Sequence, residues 1–310
     1  VSGIGIIANP HSKLNKRNPG RQQVLGWILG ERGQLAVTNS LEHLSQVARE
    51  FRDRNISILA INGGDGTISR TLTAFIKEYG SRPLPQIVLL RGGTINVLAQ
   101  NLGIKGKPEE VLYRLLQVHS SGKPIKTEKL ATLQIEGNYG FLFGNATTAR
   151  FLAEFYRNKT GPLGAVLLVL RLAFASMFNK PLYESVVASH EMVISADGKE
   201  PRTLKAVALM CSTIERGPLG FRLFPKARRG PHVFQSIAFV VEAEKLPVKL
   251  PLVVLRPGEG EAFGKISTCA STMQVTCADS KVYTIDGELY ESASETIEIK
   301  PGPVLEFLVV

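Results

Sequence analysis

An apolar run, Ile56-Ser57-Ile58-Leu59-Ala60-Ile61, feeds directly into Asn62-Gly63-Gly64-Asp65-Gly66-Thr67, and a stretch with helical periodicity, Ile68 to Tyr79, follows at once. Strand, glycine turn and helix in immediate succession leave little freedom in how this part of the chain folds. Residues without a Cβ let bare backbone N–H groups approach a ligand, and the start of a helix is the positive end of its dipole, so the unit is suited to an anion. Asp65 does not suit a turn that only holds phosphate, because like charges repel. A carboxylate there is explained by a metal carried on the phosphates, or by removal of a proton from an attacking hydroxyl. Either use leads to phosphoryl transfer from a nucleotide rather than to dinucleotide binding.

The pattern recurs twice. Ile4-Gly5-Ile6-Ile7-Ala8 ends at Asn9-Pro10-His11-Ser12, and Gln86-Ile87-Val88-Leu89-Leu90 ends at Arg91-Gly92-Gly93-Thr94. Helical patterns lie between and after these strands, at Arg21 to Glu31, Leu41 to Arg52 and Ile95 to Leu102. Strands alternating with helices predict a parallel sheet covered on both faces, with ligands at the strand ends. From about Lys123 the texture changes to period-2 segments with hairpin signals. These are Leu130–Glu136, Met192–Ala196, Leu204–Cys211, Ser236–Glu242, Met273–Ala278, Lys281–Ile285, Thr296–Ile299 and Val304–Val310. The expected organisation is therefore an α/β domain over residues 1–122 and a β-rich, mainly antiparallel domain over 123–310, whose last strand can return to the first domain. Thr147 to Phe178 is the helical exception.

Composition narrows the function classes. Lys and Arg number 37 against 27 Asp and Glu, a formal charge of +10 that suits a phosphorylated ligand, an anionic membrane or nucleic acid. The basic residues are dispersed, with no aromatic-studded stripe, which argues against nucleic acid. Cys211, Cys269 and Cys277 form no CxxC and leave an odd thiol, as expected for a reducing compartment. No signal peptide is read at Val1. The most apolar run, Gly164 to Phe178, is interrupted by Arg171 and falls short of the ~20 residues that span a bilayer.

With these motifs in order, the chain resembles the diacylglycerol kinase catalytic domain family, shared with sphingosine kinases and bacterial lipid kinases. Asn9-Pro10-His11-Ser12 resembles the family's opening Asn-Pro-x-Ser, and Gly63-Gly64-Asp65-Gly66-Thr67 its second signature. Gly93-Thr94-Ile95-Asn96 resembles Gly-Thr-x-Asn. Later, Gly220-Phe221 with Pro225-Lys226-Ala227 and Asp286-Gly287-Glu288 resemble stretches of its second domain. NAD kinases share GGDGT and a related fold. They also carry an Asn-Glu pair that this chain lacks, which makes NAD kinase the more distant reading.

The resemblance implies an ATP- and Mg²⁺-dependent lipid kinase. Asn9, Ser12, Gly63, Gly64, Gly66 and Thr67 would face the ATP phosphates, and Gly93, Thr94 and Asn96 would border the nucleotide. Asp65 would sit near Mg²⁺. Glu288 would act as general base on a lipid hydroxyl with Asp286 orienting groups, Asp65 being the rival for the base. Asp286-Gly287 is also an ordinary hairpin turn signal, and Asp197-Gly198 is read as a turn alone. The implied partners are a lipid substrate and, peripherally, an anionic membrane. The implied location is cytoplasmic, at the inner membrane face.

The chain departs from the family at several acids. Arg70 stands for a glutamate, Val97 for the Asp after Gly-Thr-x-Asn, Ile95 for a glycine, and Lys126 near another acid that Glu128 could replace. Arg228-Arg229-Gly230 stands where some relatives have a metal-binding Asp-Asp-Gly. These losses favour, as an alternative, a catalytically silent lipid- or nucleotide-binding protein of the same fold. Leu163 to Phe178 reads either as a core helix or as a wall for lipid. Arg222, Lys226, Arg228 and Arg229 read either as a headgroup surface or as a solvated basic edge.

Overall fold

The computed structural model describes residues 3–93, 95–157, 168, 171–172, 174–176, 179–246, 249, 264–277 and 281–310. The chain forms two compact units. The first takes residues up to Thr132 together with Asn138–Gly140 and Pro303–Val310, and the second takes Leu133–Gly137 and Phe141–Gly302.

In the first unit, β1 (Ile4–Ala8), α1 (Lys13–Arg17), α2 (Arg21–Leu29), β2 (Gly33–Val37), α3 (Leu41–Asp53), β3 (Ile58–Asn62), α4 (Asp65–Tyr79), β4 (Gln86–Leu89), α5 (Val97–Asn101) and α6 (Pro108–Ser120) follow in turn. The strands lie side by side in the order β2-β1-β3-β4, all parallel. Every residue of β1 and β3 is buried, as a sheet covered on both faces requires. Helix α3 starts at Ser40, whose hydroxyl accepts the His43 N–H, and buries Leu44, Val47, Ala48 and Phe51 on one face. Helix α4 buries Ile68, Leu72, Phe75 and Tyr79, and the Phe51 and Phe75 rings meet edge to face at 6.3 Å.

Strand β2 and helix α6 are among the elements of this unit that the sequence reading does not predict. Strand β2 buries only Ala36, so the edge of the sheet carries little hydrophobic signal. Helix α6 does carry one: Pro108 opens it, Glu109 and Glu110 follow, and Val111, Leu112, Leu115 and Leu116 are buried.

The second unit begins within β5 (Lys126–Ile135), which β6 (Asn138–Gly140) pairs, and continues through β7 (Leu142–Asn145) and α7 (Thr147–Arg157). Then come β8 (His190–Ala196), β9 (Arg202–Ala206), β10 (Ala208–Ser212), β11 (Phe234–Phe239), β12 (Lys265–Ala270), β13 (Met273–Cys277), β14 (Val282–Ile285), β15 (Glu288–Glu291) and β16 (Thr296–Val309). One sheet runs β12-β11-β10-β7-β14-β15, antiparallel throughout. Both faces of its centre are buried. Leu209, Cys211, Phe143 and Phe234 enter one apolar cluster, while Met210, Leu142, Ile237 and Phe239 enter another.

Sequence alternation makes Leu204–Cys211 one strand. The chain instead switches sheets at Val207, where the Val207 N–H donates to Phe239 O, and the run divides into β9 and β10. The segments read as Thr296–Ile299 and Val304–Val310 form the single strand β16. Its end pairs β4 in parallel, with Phe307 opposite Ile87. The sequence reading divides the domains between residues 122 and 123, whereas β5 stays with the first unit through Thr132, whose hydroxyl donates to Pro303 O. Of the apolar stretch to Phe178, Leu168, Leu172 and Ala175 are buried in the cluster with Tyr183 and Phe224, and most of the rest lies outside the described residues.

Candidate functional site

Register decides where the site forms. Ala8 lies opposite Asn62 and Ile61 opposite Leu89, so β1, β3 and β4 end almost level. Their following loops are then knitted together. The Asn9 N–H donates to Asn62 O at 3.0 Å, and the Leu14 N–H donates to Gly92 O at 3.3 Å. Asn9 Nδ2 donates to Thr67 Oγ1 at 2.8 Å, while Asn9 Oδ1 accepts the His11 N–H. Because the Thr67 oxygen accepts, its own proton remains free to donate.

Two buried amides complete the network, and sequence reasoning missed both. Asn15 Nδ2 donates to Asn9 O at 2.8 Å and to Asn62 Oδ1 at 2.6 Å, and Asn62 Nδ2 donates to Leu90 O at 3.2 Å. Asn15 sits in the polar run Lys13-Leu14-Asn15-Lys16-Arg17, where nothing local distinguishes it. Asn62 did leave a trace, as a polar residue ending a strand whose residues are all buried.

Close backbone approach explains the glycines. A Cβ on Gly93 would lie 2.3 Å from Gly64 Cα, and one on Gly63 would lie 2.3 Å from Thr67 Cβ. The two turns touch backbone to backbone, and no side chain fits between them. Helix α4 then begins at Asp65 with Gly64 as a cap that has no side chain. The N–H groups of such a first turn have no acceptor within the helix, which leaves them to face an anion. The Ser12 hydroxyl is buried without a partner among the described residues and does not cap α1. Asn96, left-handed at φ 52°, is closed on its own loop: Nδ2 donates to Gly93 O and Oδ1 accepts the Gly93 N–H. Thr94 lies outside the described residues.

Asp65 spans two of the loops. Its Oδ1 accepts the Leu98 N–H at 3.2 Å, so the carboxylate caps α5 where the Asn96 side chain does not. The carboxyl titrates above its ordinary value of 3.8. Loss of water around it is the main cause, opposed by the N–H groups of Val97, Leu98, Asp65 itself and Asn96. Among the described residues no group of three or more His, Cys, Asp or Glu could hold a metal ion.

Asp286 and Glu288 lie in the second unit. Asp286 (φ 48°) and Gly287 (φ 85°) form the left-handed pair of a two-residue turn between β14 and β15, closed by Ile285 opposite Glu288. The Asp286 carboxylate accepts the N–H groups of Phe141 (3.0 Å) and Leu142 (2.9 Å), and Tyr156 Oη donates to Gly287 O at 2.5 Å. Asp197 does the same in its own turn, with Oδ1 accepting the N–H groups of Ser271 (2.7 Å) and Thr272 (2.9 Å). Both aspartates therefore clamp a hairpin to a neighbouring segment. Glu288, partly exposed at the start of β15, is what the second turn adds.

Residues 4–126 match the diacylglycerol kinase catalytic domain. No curated protein matches the sequence. Among solved structures, a diacylglycerol kinase from Bacillus anthracis str. Sterne is similar over 100% of this chain and 97% of its own, with 12% identity and a TM-score of 0.67. A second protein of that organism, assigned as a diacylglycerol kinase, covers 100% and 96% with 14% identity and a TM-score of 0.71. At such identities these likenesses establish the fold: an α/β unit with a parallel sheet, followed by an antiparallel β-rich unit.

The segment matching the diacylglycerol kinase catalytic domain holds all three glycine-bearing or polar strand ends. Val97 opens α5, where its N–H faces Asp65. Arg70 is exposed on α4. Glu128 is ion-paired with Lys126 at 3.2 Å. Cys211 and Cys277 are buried and lie outside any disulfide, and burial pushes the Cys211 thiol far up.

Proposed function

We propose that the chain is an ATP-dependent lipid kinase, transferring the γ-phosphate to the hydroxyl of a diacylglycerol-like or sphingoid lipid. The observation that carries this reading is the glycine cradle at the start of α4, held between two other strand-end loops within the segment that matches the diacylglycerol kinase catalytic domain. Backbone N–H groups of Gly66 and Thr67 with the Thr67 hydroxyl bind the phosphates, and Ser12 supplies a further donor. Asp65 is the residue that would hold Mg²⁺, which when bound neutralises charge on the transferring phosphoryl group. In the transfer, the lipid hydroxyl oxygen bonds to the γ-phosphorus as the bond to the β-phosphate oxygen breaks, ADP leaves, and Glu288 takes the hydroxyl proton. Asp286 holds the turn that carries Glu288. A lipid acceptor implies work at a membrane surface, and none of the described helices is long and apolar enough to cross one.

The test is transfer of label from γ-labelled ATP into a broad lipid extract in the presence of Mg²⁺. Glu288→Gln is expected to lower the rate by about 10²- to 10⁴-fold while ATP affinity is kept. Absence of labelled lipid for the wild-type chain refutes the reading. The acid losses at Arg70, Val97 and Lys126 favour a second reading, a silent nucleotide- or lipid-binding protein of this fold. ATP binding by calorimetry without turnover selects it.

A further inference from the structure

Arg91 has no part in the reading above, yet its position is unusual. It follows Leu90 at the end of β4 and precedes Gly92-Gly93. Its backbone lies in the left-handed region at φ 39°, which glycine adopts freely and a residue with a Cβ does not. The side chain does little for the fold in return. Arg91 Nη1 reaches Gly106 O only at 3.4 Å, a long and weak contact, and Nε is buried with no partner among the described residues. No carboxylate among the described residues pairs with the guanidinium. Backbone strain and an unsatisfied buried donor on one residue both work against stability, and such uncompensated features mark functional positions.

The surroundings say what the cation is for. Gly92 accepts the Leu14 N–H, which brings the helix after Ser12 against the residue next to Arg91. A Cβ on Gly92 would lie 2.8 Å from Gly63 N, so Arg91 stands one residue from the contact between the two glycine turns. Ser12 and Arg91 thus flank those turns, each with a buried polar atom that lacks a partner among the described residues. A guanidinium presents a planar fork of donors that matches phosphate oxygens and carries its charge at every accessible pH. Resting on the nucleotide reading above, we infer that Arg91 is a phosphate-binding residue of this site, supplying directly from the protein part of the charge that neutralises a polyphosphate.

ATP titration by calorimetry, with and without Mg²⁺, compares the wild-type chain with Arg91→Gly and Arg91→Gln, alongside thermal unfolding of each. Loss of a charged hydrogen bond weakens ATP binding by about 10- to 100-fold in both variants. Arg91→Gly relieves the backbone, so its Tm equals or exceeds that of the wild type. Arg91→Gln keeps the backbone demand and shows that lost charge alone suffices. Unchanged ATP affinity in both variants overturns the role of Arg91 and leaves the nucleotide site standing. A fall in the Tm of Arg91→Gly also overturns it, since the side chain would then serve the fold. A wild-type chain that binds no ATP under either condition overturns both readings.

Discussion

Helix α1 is five residues long and buries only Asn15, whose amide ties the Asn9–Ser12 loop to the end of β3 alongside the bonds that Asn9 and Leu14 make. Asn15→Ala removes two donated hydrogen bonds, at 2.8 Å to Asn9 O and 2.6 Å to Asn62 Oδ1. At about 1 kcal/mol net for each bond and roughly 1 kcal/mol more for leaving Asn62 Oδ1 buried without its donor, the loss comes to about 3 kcal/mol. Among the described residues Asn15 Oδ1 is itself buried without a partner, and deleting it returns roughly 1 kcal/mol. The expected destabilisation is therefore about 2 kcal/mol, or roughly 4–8 °C in Tm for a unit of this size. Scanning calorimetry of Asn15→Ala, Asn62→Ala and the double variant measures the shared bond as a coupling energy of about 1 kcal/mol. ATP affinity falls as well, because Ser12 and Asn9 lose their anchor without Asn15 touching ligand. Additivity of the two substitutions within a few tenths of a kcal/mol would refute the argument, since the amides would then not act on each other.

Three further outcomes follow from the same geometry. Asp65→Asn keeps an acceptor for the Leu98 N–H but removes a charge that burial disfavours. A carboxyl whose folded pKa is raised contributes stability that is full below its ordinary value and lost as pH rises through the raised one. The variant's Tm should thus exceed the wild type's at pH 7, with the gap closing toward pH 4, while phosphoryl transfer is lost; a lower Tm at pH 7 counts against the assignment. Gly93→Ala forces a Cβ to 2.3 Å from Gly64 Cα, and is expected to cost about 1–3 kcal/mol and abolish ATP binding. Unaltered calorimetric affinity would show that the two turns can separate freely. Asp286→Ala and Asp197→Ala each free two backbone N–H groups from a carboxylate, so chemical denaturation should show similar losses of about 2–3 kcal/mol. A loss of activity in Asp286→Ala without loss of stability would assign that residue to chemistry instead of to the clamp.

The sequence by itself determined what depends on neighbours in the chain. Alternating strands and helices, the three loops at Asn9, Gly63 and Gly93, and the hairpin turns at Asp197 and Asp286 all follow from short-range periodicity and from residues that tolerate particular backbone angles. Strand β2 escaped because an edge that buries only Ala36 has almost no period to read. The break at Val207 escaped because both halves of that run alternate correctly, and only the second sheet decides where the chain crosses over. The tertiary structure alone decided which distant partners the polar side chains meet. Asn15 meets Asn62 from 47 positions away, Asp65 caps α5 from 33 positions away, and Asp286 holds Leu142 from 144 positions away. A hydrogen bond between distant residues leaves no periodicity in either partner, so its members look like any other polar residue until strand register brings the ends of β1, β3 and β4 level. Register also explains why the glycines must be glycines: the turn signal is local, but the 2.3 Å approach of one turn to the other exists only in the folded sheet.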